Sequence, residues 1–298
     1  MEFVVKASQH GWTLLAFLKE ECKESLSANK IKKAIEAKSC KINGRVELFS
    51  SYQVMKGDRV EFNPIEISKP SKIAILFQDD HFAVIDKPPG LVCQNELVAQ
   101  GIGSIARNWR LVHRLDRDTS GLLLLAKSEQ AEEAAKSLFA EREVQKLYLA
   151  IVDGRVKEKE GMIDNYLGKK GGYEGQTLYG EVLQKEKGLR AITHFQTLAH
   201  GKESSLLLCD LKTGRTHQIR VHFSEKGHPL LGDHQYGRKF SCPFEPSRHL
   251  LHAWKLSFIH PFTKKKIELK SPIPRDFQKA LEDLFSSSVF KVLERYAL

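Results

Sequence analysis

The segment VHRLDRDTSGLLLLAK, Val112–Lys127, packs two acids and two arginines between Arg114 and Asp118. Thr119, Ser120, Gly121 and four consecutive leucines follow. Two neighbouring aspartates cannot both be buried as bare anions. Asp118 is expected to cap the turn through Thr119 or Ser120, which leaves Asp116, flanked by Arg114 and Arg117, as the candidate for chemistry. A second polar segment, KTGRTHQIRVHF, reads as a strand. With period two it places Thr216, Gln218, Arg220 and His222 on one face and Arg215, His217, Ile219 and Val221 on the other. An arginine from such a strand, within hydrogen-bond reach, would hold a buried aspartate ionised. The carboxylate would then serve as a nucleophile or base at neutral pH. An Asp and an Arg by themselves would be read as a structural ion pair, so the surrounding elements decide.

GLLLLAK is an apolar strand, so the loop before it lies at a sheet end, where side chains can face a cleft. KIAILFQDDHFAVIDKPPG reads as two strands around an Asp-Asp turn, KLYLAIVDG as a strand, and EQAEEAAKSLFAE as a helix with Ala131, Ala134, Ala135 and Leu138 on its apolar stripe. KKGGYEGQTLYGEVLQKEKG is expected to be a surface hairpin. This part of the chain, residues 73–298, is an α+β domain around a largely antiparallel sheet. Residues 64–72, polar with two prolines, read as a linker. Residues 1–63 form a separate unit. There, Leu14, Leu15 and Leu18 share one helical face, Ser27 caps a second helix that buries Ile31 and Ile35, and short strands follow. Lys30, Lys33 and Lys38 fall on the other faces of that second helix.

The chain of 298 residues, 41% of them hydrophobic, can build a substantial core. No apolar run approaches the roughly 20 residues that a membrane helix needs. MEFVVKASQHGWTLL lacks a charged head followed by a long apolar block. The five scattered cysteines argue against disulfides or a zinc finger. A cytoplasmic protein without a membrane partner is therefore expected, and a monomer is expected beside it; the net charge of +10 makes polyanions plausible partners. A metal hydrolase is disfavoured, because His217 and His222 would face opposite ways on a strand. A serine triad at Ser120 lacks the Gly-x-Ser-x-Gly elbow.

Six segments occur in a telling order: ILFQDDHFAVIDKPPGLV, VHRLDRDTSGLLLLAK, KLYLAIVDG, TGRTHQIRVHF, GHPLLGDHQYG and HLLHAWKLSFIHP. Together, from about Ile73 to Phe277, they resemble the RluA family of pseudouridine synthases, which act mainly on large-subunit ribosomal RNA. NKIKKAIEAKSCKINGRV and SSYQVMKGDRVEF resemble an S-four-type RNA-binding domain, a common companion in that family. The resemblance implies a pseudouridine synthase fold and isomerisation of uridine in structured ribosomal RNA, with no cofactor and no metal. It makes Asp116 the catalytic aspartate, Tyr148 an active-site residue stacking on the uracil with its hydroxyl near the carbon 5 proton, and Arg220 the partner of Asp116. It also makes Arg114 the side chain that fills the space of a flipped base, and either Leu230 or Leu231 an apolar contact to that base. His113, Arg215, Lys30, Lys33 and Lys38 complete the set expected to meet RNA. A non-catalytic RNA-binding factor of the same fold would have lost the acid, the tyrosine or the arginine; all three are present.

Overall fold

A computed structural model describes residues 1–22, 26–36, 39–63, 73–173, 176–183, 188–237 and 239–296. It divides into two units, Met1–Ser71 with Gly172–Thr177, and Lys72–Gly171 with Leu178–Leu298.

In the first unit, β1 (Glu2–Val4) precedes α1 (Leu14–Glu21) and α2 (Ala28–Glu36), which lead into β2 (Cys40–Ile42), β3 (Arg45–Val46) and β4 (Arg59–Phe62). Thr13 caps α1 by accepting the N–H of Ala16 at 3.2 Å. Leu14, Leu18, Ile31 and Ile35 are fully buried with Val60 and Phe62, whereas Leu15 is only partly covered and Phe17 takes the buried place expected of it. The sheet order is β1-β4-β2-β3. The expected layout of two helices followed by a sheet therefore gains a strand: β1, too short for its alternation to register in the sequence, pairs antiparallel with β4. Lys30 is exposed on α2. The side chain of Lys33, the whole of Lys38 and the linker 64–72 lie outside the described residues.

The second unit runs β5 (Ala74–Gln78), β6 (Phe82–Lys87), α3 (Asn95–Ile102), β7 (Arg110–Leu111), β8 (Ser120–Ala126), α4 (Glu129–Ala140), β9 (Gln145–Asp153), β10 (Glu160–Tyr173) and β11 (Gln176–Glu181). It continues through β12 (Leu189–Gly201), β13 (Ser204–Leu211), α5 (Gln218–Glu225), β14 (Leu251–Ile259), β15 (Lys266–Lys270), α6 (Arg275–Leu284) and α7 (Ser288–Glu294). An eleven-stranded sheet in the order β11-β10-β12-β13-β9-β14-β8-β6-β5 carries β15 on β14 and β7 on β8. Its centre is antiparallel, except that β14 and β8 run parallel. The fold is thus α+β with a mostly antiparallel mixed sheet, as the sequence led us to expect.

Both faces of this sheet are covered, which is why β8 is an unbroken apolar run rather than an alternating one. Leu123 and Leu125 enter one core cluster with Tyr148, Ala150 and Ile219. Leu122 and Leu124 enter another beneath Ala131, Ala135 and Leu138 of α4. Gly121 makes the parallel pairing possible. At φ 111° it brings β8 so close to β14 that a Cβ there would meet the carbonyl oxygen of Ala253 at 2.2 Å.

One expectation fails. Gln218–Glu225 is the helix α5 and not a strand. Ile219 and Phe223 fill the core at helical spacing, and Gln218 and His222, also four apart, both bond Thr193 Oγ1 at 2.8 and 2.9 Å. A short run with apolar residues at every second position fits either period. Gly227, at φ 80° just past the last turn, was the helix-stop signal that could have decided it.

Candidate active site

The loop between β7 and β8 is held along the stretch that follows Asp116, from Arg117 to Ser120. Lys87, fully buried at the end of β6, donates its ammonium to the carbonyls of Pro88, Leu91 and Arg117 at 2.9, 3.0 and 2.9 Å. Burial lowers its pKa to about 8. Arg248 donates to the carbonyl of Asp118 at 2.9 Å and to Ser120 Oγ at 3.2 Å. Thr119 Oγ1 meets His249 Nε2, and Ser120 Oγ meets His252 Nδ1, each at 3.0 Å. The Thr119 N–H closes the turn on the Asp116 carbonyl at 3.1 Å. The charge that precedes the leucine run is therefore the rim of a loop clamped to a rigid sheet end.

That rim borders a cleft of about 910 Å³, lined among others by Arg114, Asp116, Tyr148, Arg215, His217 and Leu251. Asp116 is half-buried in its wall, and its Oδ2 accepts from Arg220 NH1 at 3.3 Å. The guanidinium is fixed from behind. Its Nε and NH2 donate to Asp233 at 2.6 and 2.9 Å, and NH2 also donates to Gln235 at 2.7 Å. Arg220 and Asp233 side chains are 6% and 1% exposed, so this is a buried, forked pair. The Asp233 charge holds Arg220 firmly protonated against the cost of burial. A helix thus delivers the arginine that the sequence had placed on a strand, and Arg220 still reaches Asp116.

Tyr148 projects from β9 on the same sheet face. Burial and the nearby Asp116 charge push its phenol well up, so it is present as the neutral phenol. It offers a ring face and a hydroxyl, not a ready phenolate base. His217, in the left-handed region at φ 56°, occupies the position just before α5 and turns Nε2 toward Asp116 Oδ1 at 3.9 Å. The strand argument against a histidine metal pair lapses with the strand, but both rings are engaged: His217 with Tyr236 at 2.7 Å, and His222 with Thr193 and Asn165 at 2.9 Å each.

Two further expectations change, those for Asp118 and for the leucine pair. Asp118 does not cap the turn; its carboxylate takes a fork from Arg117 at 3.2 and 3.0 Å, because a guanidinium one residue away outcompetes the hydroxyls. Leu230 and Leu231 are fully buried and neither lines the cleft, since each fills a core cluster on one side of the sheet. His113 lines the cleft, its Nε2 accepts the Leu124 N–H at 2.9 Å, and its ring packs on Phe139. Arg215 donates Nε to the Arg190 carbonyl at 3.0 Å while remaining exposed at the cleft. Arg114 is exposed beside Asp116. Sequence reasoning missed Asp233, Gln235 and Tyr236, all in GHPLLGDHQYG, whose leucines drew attention instead, together with Lys87 and the Arg248, His249 and His252 braces.

The histidines under the loop make an acid prediction. Burial pushes His113 down to about 3, His222 and His252 to about 4, and lowers His217 and His249 as well. Each ring is neutral when folded but takes a proton near pH 6.5 once unfolded. The stability these neutral rings contribute is complete above that pH and is lost as the pH falls below it; for His222 and His252 the loss runs down to about pH 4, by up to about 1.4 kcal/mol per pH unit each. Urea midpoints taken at pH 7, 6 and 5 should fall steadily; a midpoint that holds across that range would mean these rings charge within the fold.

The RNA pseudouridylate synthase family matches residues 81–225, the stretch that contains Asp116, Tyr148 and Arg220. A protein of Zymomonas mobilis named ribosomal large subunit pseudouridine synthase D is 36% identical over 241 residues, 72% of this chain and 74% of its own length. An uncharacterized RNA pseudouridine synthase of Synechocystis is 34% identical over 294 residues, 91% of this chain and 88% of its own. The solved structure of human RNA Pseudouridylate Synthase Domain Containing 1 superposes with a TM-score of 0.59 at 30% identity, over 70% of this chain and 87% of that one.

Proposed function

The chain belongs to the RNA pseudouridylate synthase family, and from that premise we propose that it isomerises uridines of large-subunit ribosomal RNA with Asp116 as the catalytic carboxylate. The reaction breaks the bond from uracil N1 to ribose C1′, turns the base, and rejoins it through C5, which gives up its proton as N1 takes one. Substrate and product hold the same atoms, so neither an oxidant nor an energy source enters the balance. Asp116 acts on the ribose, either by attacking C1′ or by removing the proton from C2′. Arg220, gripped by Asp233, orients the carboxylate, and Tyr148 lies under the uracil.

A stacked base cannot reach such a cleft, so the uridine is flipped, at a cost of a few kcal/mol for unstacking. Arg114, exposed next to Asp116, fills the place that the base leaves. Phosphate contacts supply affinity that weakens steeply with salt, and RNA shape supplies the choice of site. In this reading the first unit is the S-four-type module and Lys30, exposed on α2, is one of its phosphate contacts. The protein works as a cytoplasmic monomer; a reducing compartment suits Cys40, Cys93, Cys209 and Cys242, which are buried outside any disulfide.

The observation that carries the residue assignments is the Arg220 NH1 to Asp116 Oδ2 contact of 3.3 Å inside the cleft that Tyr148 also lines. The substrate is tested by mapping pseudouridines in ribosomal RNA from cells with and without the gene. At least one large-subunit position should revert to uridine. An unchanged large-subunit map would remove that RNA as the substrate.

A further inference from the structure

One aromatic ring touches both sides of the Asp116 carboxylate's surroundings. The face of Tyr236 lies 4.9 Å from the guanidinium carbon of Arg220, a cation–π contact. Its hydroxyl oxygen lies 2.7 Å from His217 Nδ1. The same oxygen accepts the N–H of Tyr179, on β11, at 3.2 Å, so the phenolic hydrogen needs an acceptor of its own. His217 Nδ1, 2.7 Å away, is in position to be that acceptor. Burial lowers the pKa of His217 and raises that of Tyr236 to about 12, so the pair meets as neutral imidazole and neutral phenol. An imidazole that accepts at Nδ1 carries its proton at Nε2, and Nε2 is the nitrogen turned to Asp116 Oδ1 at 3.9 Å.

The other carboxylate oxygen, Oδ2, belongs to Arg220. A non-glycine residue in the left-handed region is uncommon, and such strain gathers where side-chain aim matters more than local ease. His217 sits there at φ 56°, with the rings of Tyr179 and Tyr236 edge-on to it at 5.8 and 5.5 Å. All of these contacts aim one N–H at one oxygen.

We propose that His217 is a positioning residue for the isomerisation: Tyr236 locks it as the Nε2–H tautomer, and with Arg220 it forms a two-sided clamp that sets the plane of the Asp116 carboxylate. At 3.9 Å the contact is longer than a hydrogen bond, and catalytic contacts of this kind tighten when substrate enters. The clamp rests on the reading of Asp116 as the catalytic carboxylate. It also gives the β10–β11 hairpin a part in the chemistry, because the Tyr179 amide is what directs the Tyr236 hydroxyl to the histidine.

Two readouts test it on the full-length protein. Long-range proton–nitrogen NMR of histidine-labelled wild type should show the His217 ring neutral with its proton on Nε2, and Tyr236→Phe should convert that signal to a tautomer mixture. In tritium-release kinetics, His217→Asn, which tolerates the left-handed backbone but is too short to place a donor at the Nε2 position, should lose about tenfold to a hundredfold in kcat. Its KM should stay within about twofold. His217→Gln, whose amide reaches that position, should regain most of the loss. The clamp is overturned by an Nδ1–H or charged His217 in wild type, by a folded His217→Asn with wild-type kcat, or by Gln and Asn variants equally impaired. Asp116→Asn is run alongside: if it too turns over normally, the assignment of Asp116 falls and the clamp falls with it, whereas an inactive Asp116→Asn beside an active His217→Asn sinks the clamp alone.

Discussion

Asp116→Asn should reduce tritium release from RNA labelled at uridine C5 by on the order of a thousandfold or more, with RNA affinity changed by less than about threefold. The substitution keeps the shape of the side chain, removes its charge, and replaces one carboxylate oxygen with an NH2 group that is neither a nucleophile nor a base. Nothing else in the loop depends on that carboxylate. Lys87 holds the Arg117 carbonyl, Arg248 the Asp118 carbonyl, His249 the Thr119 hydroxyl and His252 the Ser120 hydroxyl. Arg220 keeps its fork to Asp233, so no charge is stranded in the core. The side chain is 24% exposed, and the urea midpoint should move little. A folded Asp116→Asn that releases tritium at the wild-type rate would take the catalytic role away from this residue.

How legible was this site? Asp116 could be read because its signal is local. Acids and arginines crowd five positions and the most apolar run of the chain follows immediately, so a polar loop at the end of a buried strand is the simplest arrangement. The sheet itself was legible for the same reason, since β5, β6, β8 and β9 announce themselves by composition. The braces were not. Lys87 bonds three carbonyls that span 30 residues of chain, and backbone oxygens leave no trace in a sequence. Asp233 was hidden by its neighbours: in GHPLLGDHQYG the leucines look like the content and the aspartate looks like a turn residue. The helix α5 was misread because QIRVHF satisfies both periods, and only packing against Thr193 and the core settles which one is used. What local pattern cannot express is which distant partner a polar group will find, and the second half of this site is made of such partners.

Arg220 makes that dependence measurable, because it serves the fold and the carboxylate with different atoms. Nε and NH2 go to Asp233, and NH1 goes to Asp116. Arg220→Ala should lower the unfolding free energy by about 3–5 kcal/mol, since it leaves Asp233, 1% exposed, as a buried charge without its partner. It should also reduce turnover by about a hundredfold through loss of the donor on Asp116, with a smaller change in RNA affinity. Arg220→Lys should keep the charge but not the fork, and fall between wild type and Ala in both measurements. The two roles separate in the double variant Arg220→Met with Asp233→Leu. An apolar pair of similar volume removes the stranded charge, so most of the lost stability should return in urea unfolding. Recovery should stop short of complete, because the Gln235 and Tyr236 N–H groups that Asp233 Oδ1 accepts at 3.3 Å lose that acceptor. Turnover should not return at all, because no donor then faces Asp116 Oδ2. A double variant that regains both stability and tritium release would assign Arg220 to the fold alone, and an Arg220→Ala protein with the wild-type urea midpoint would contradict the buried fork itself.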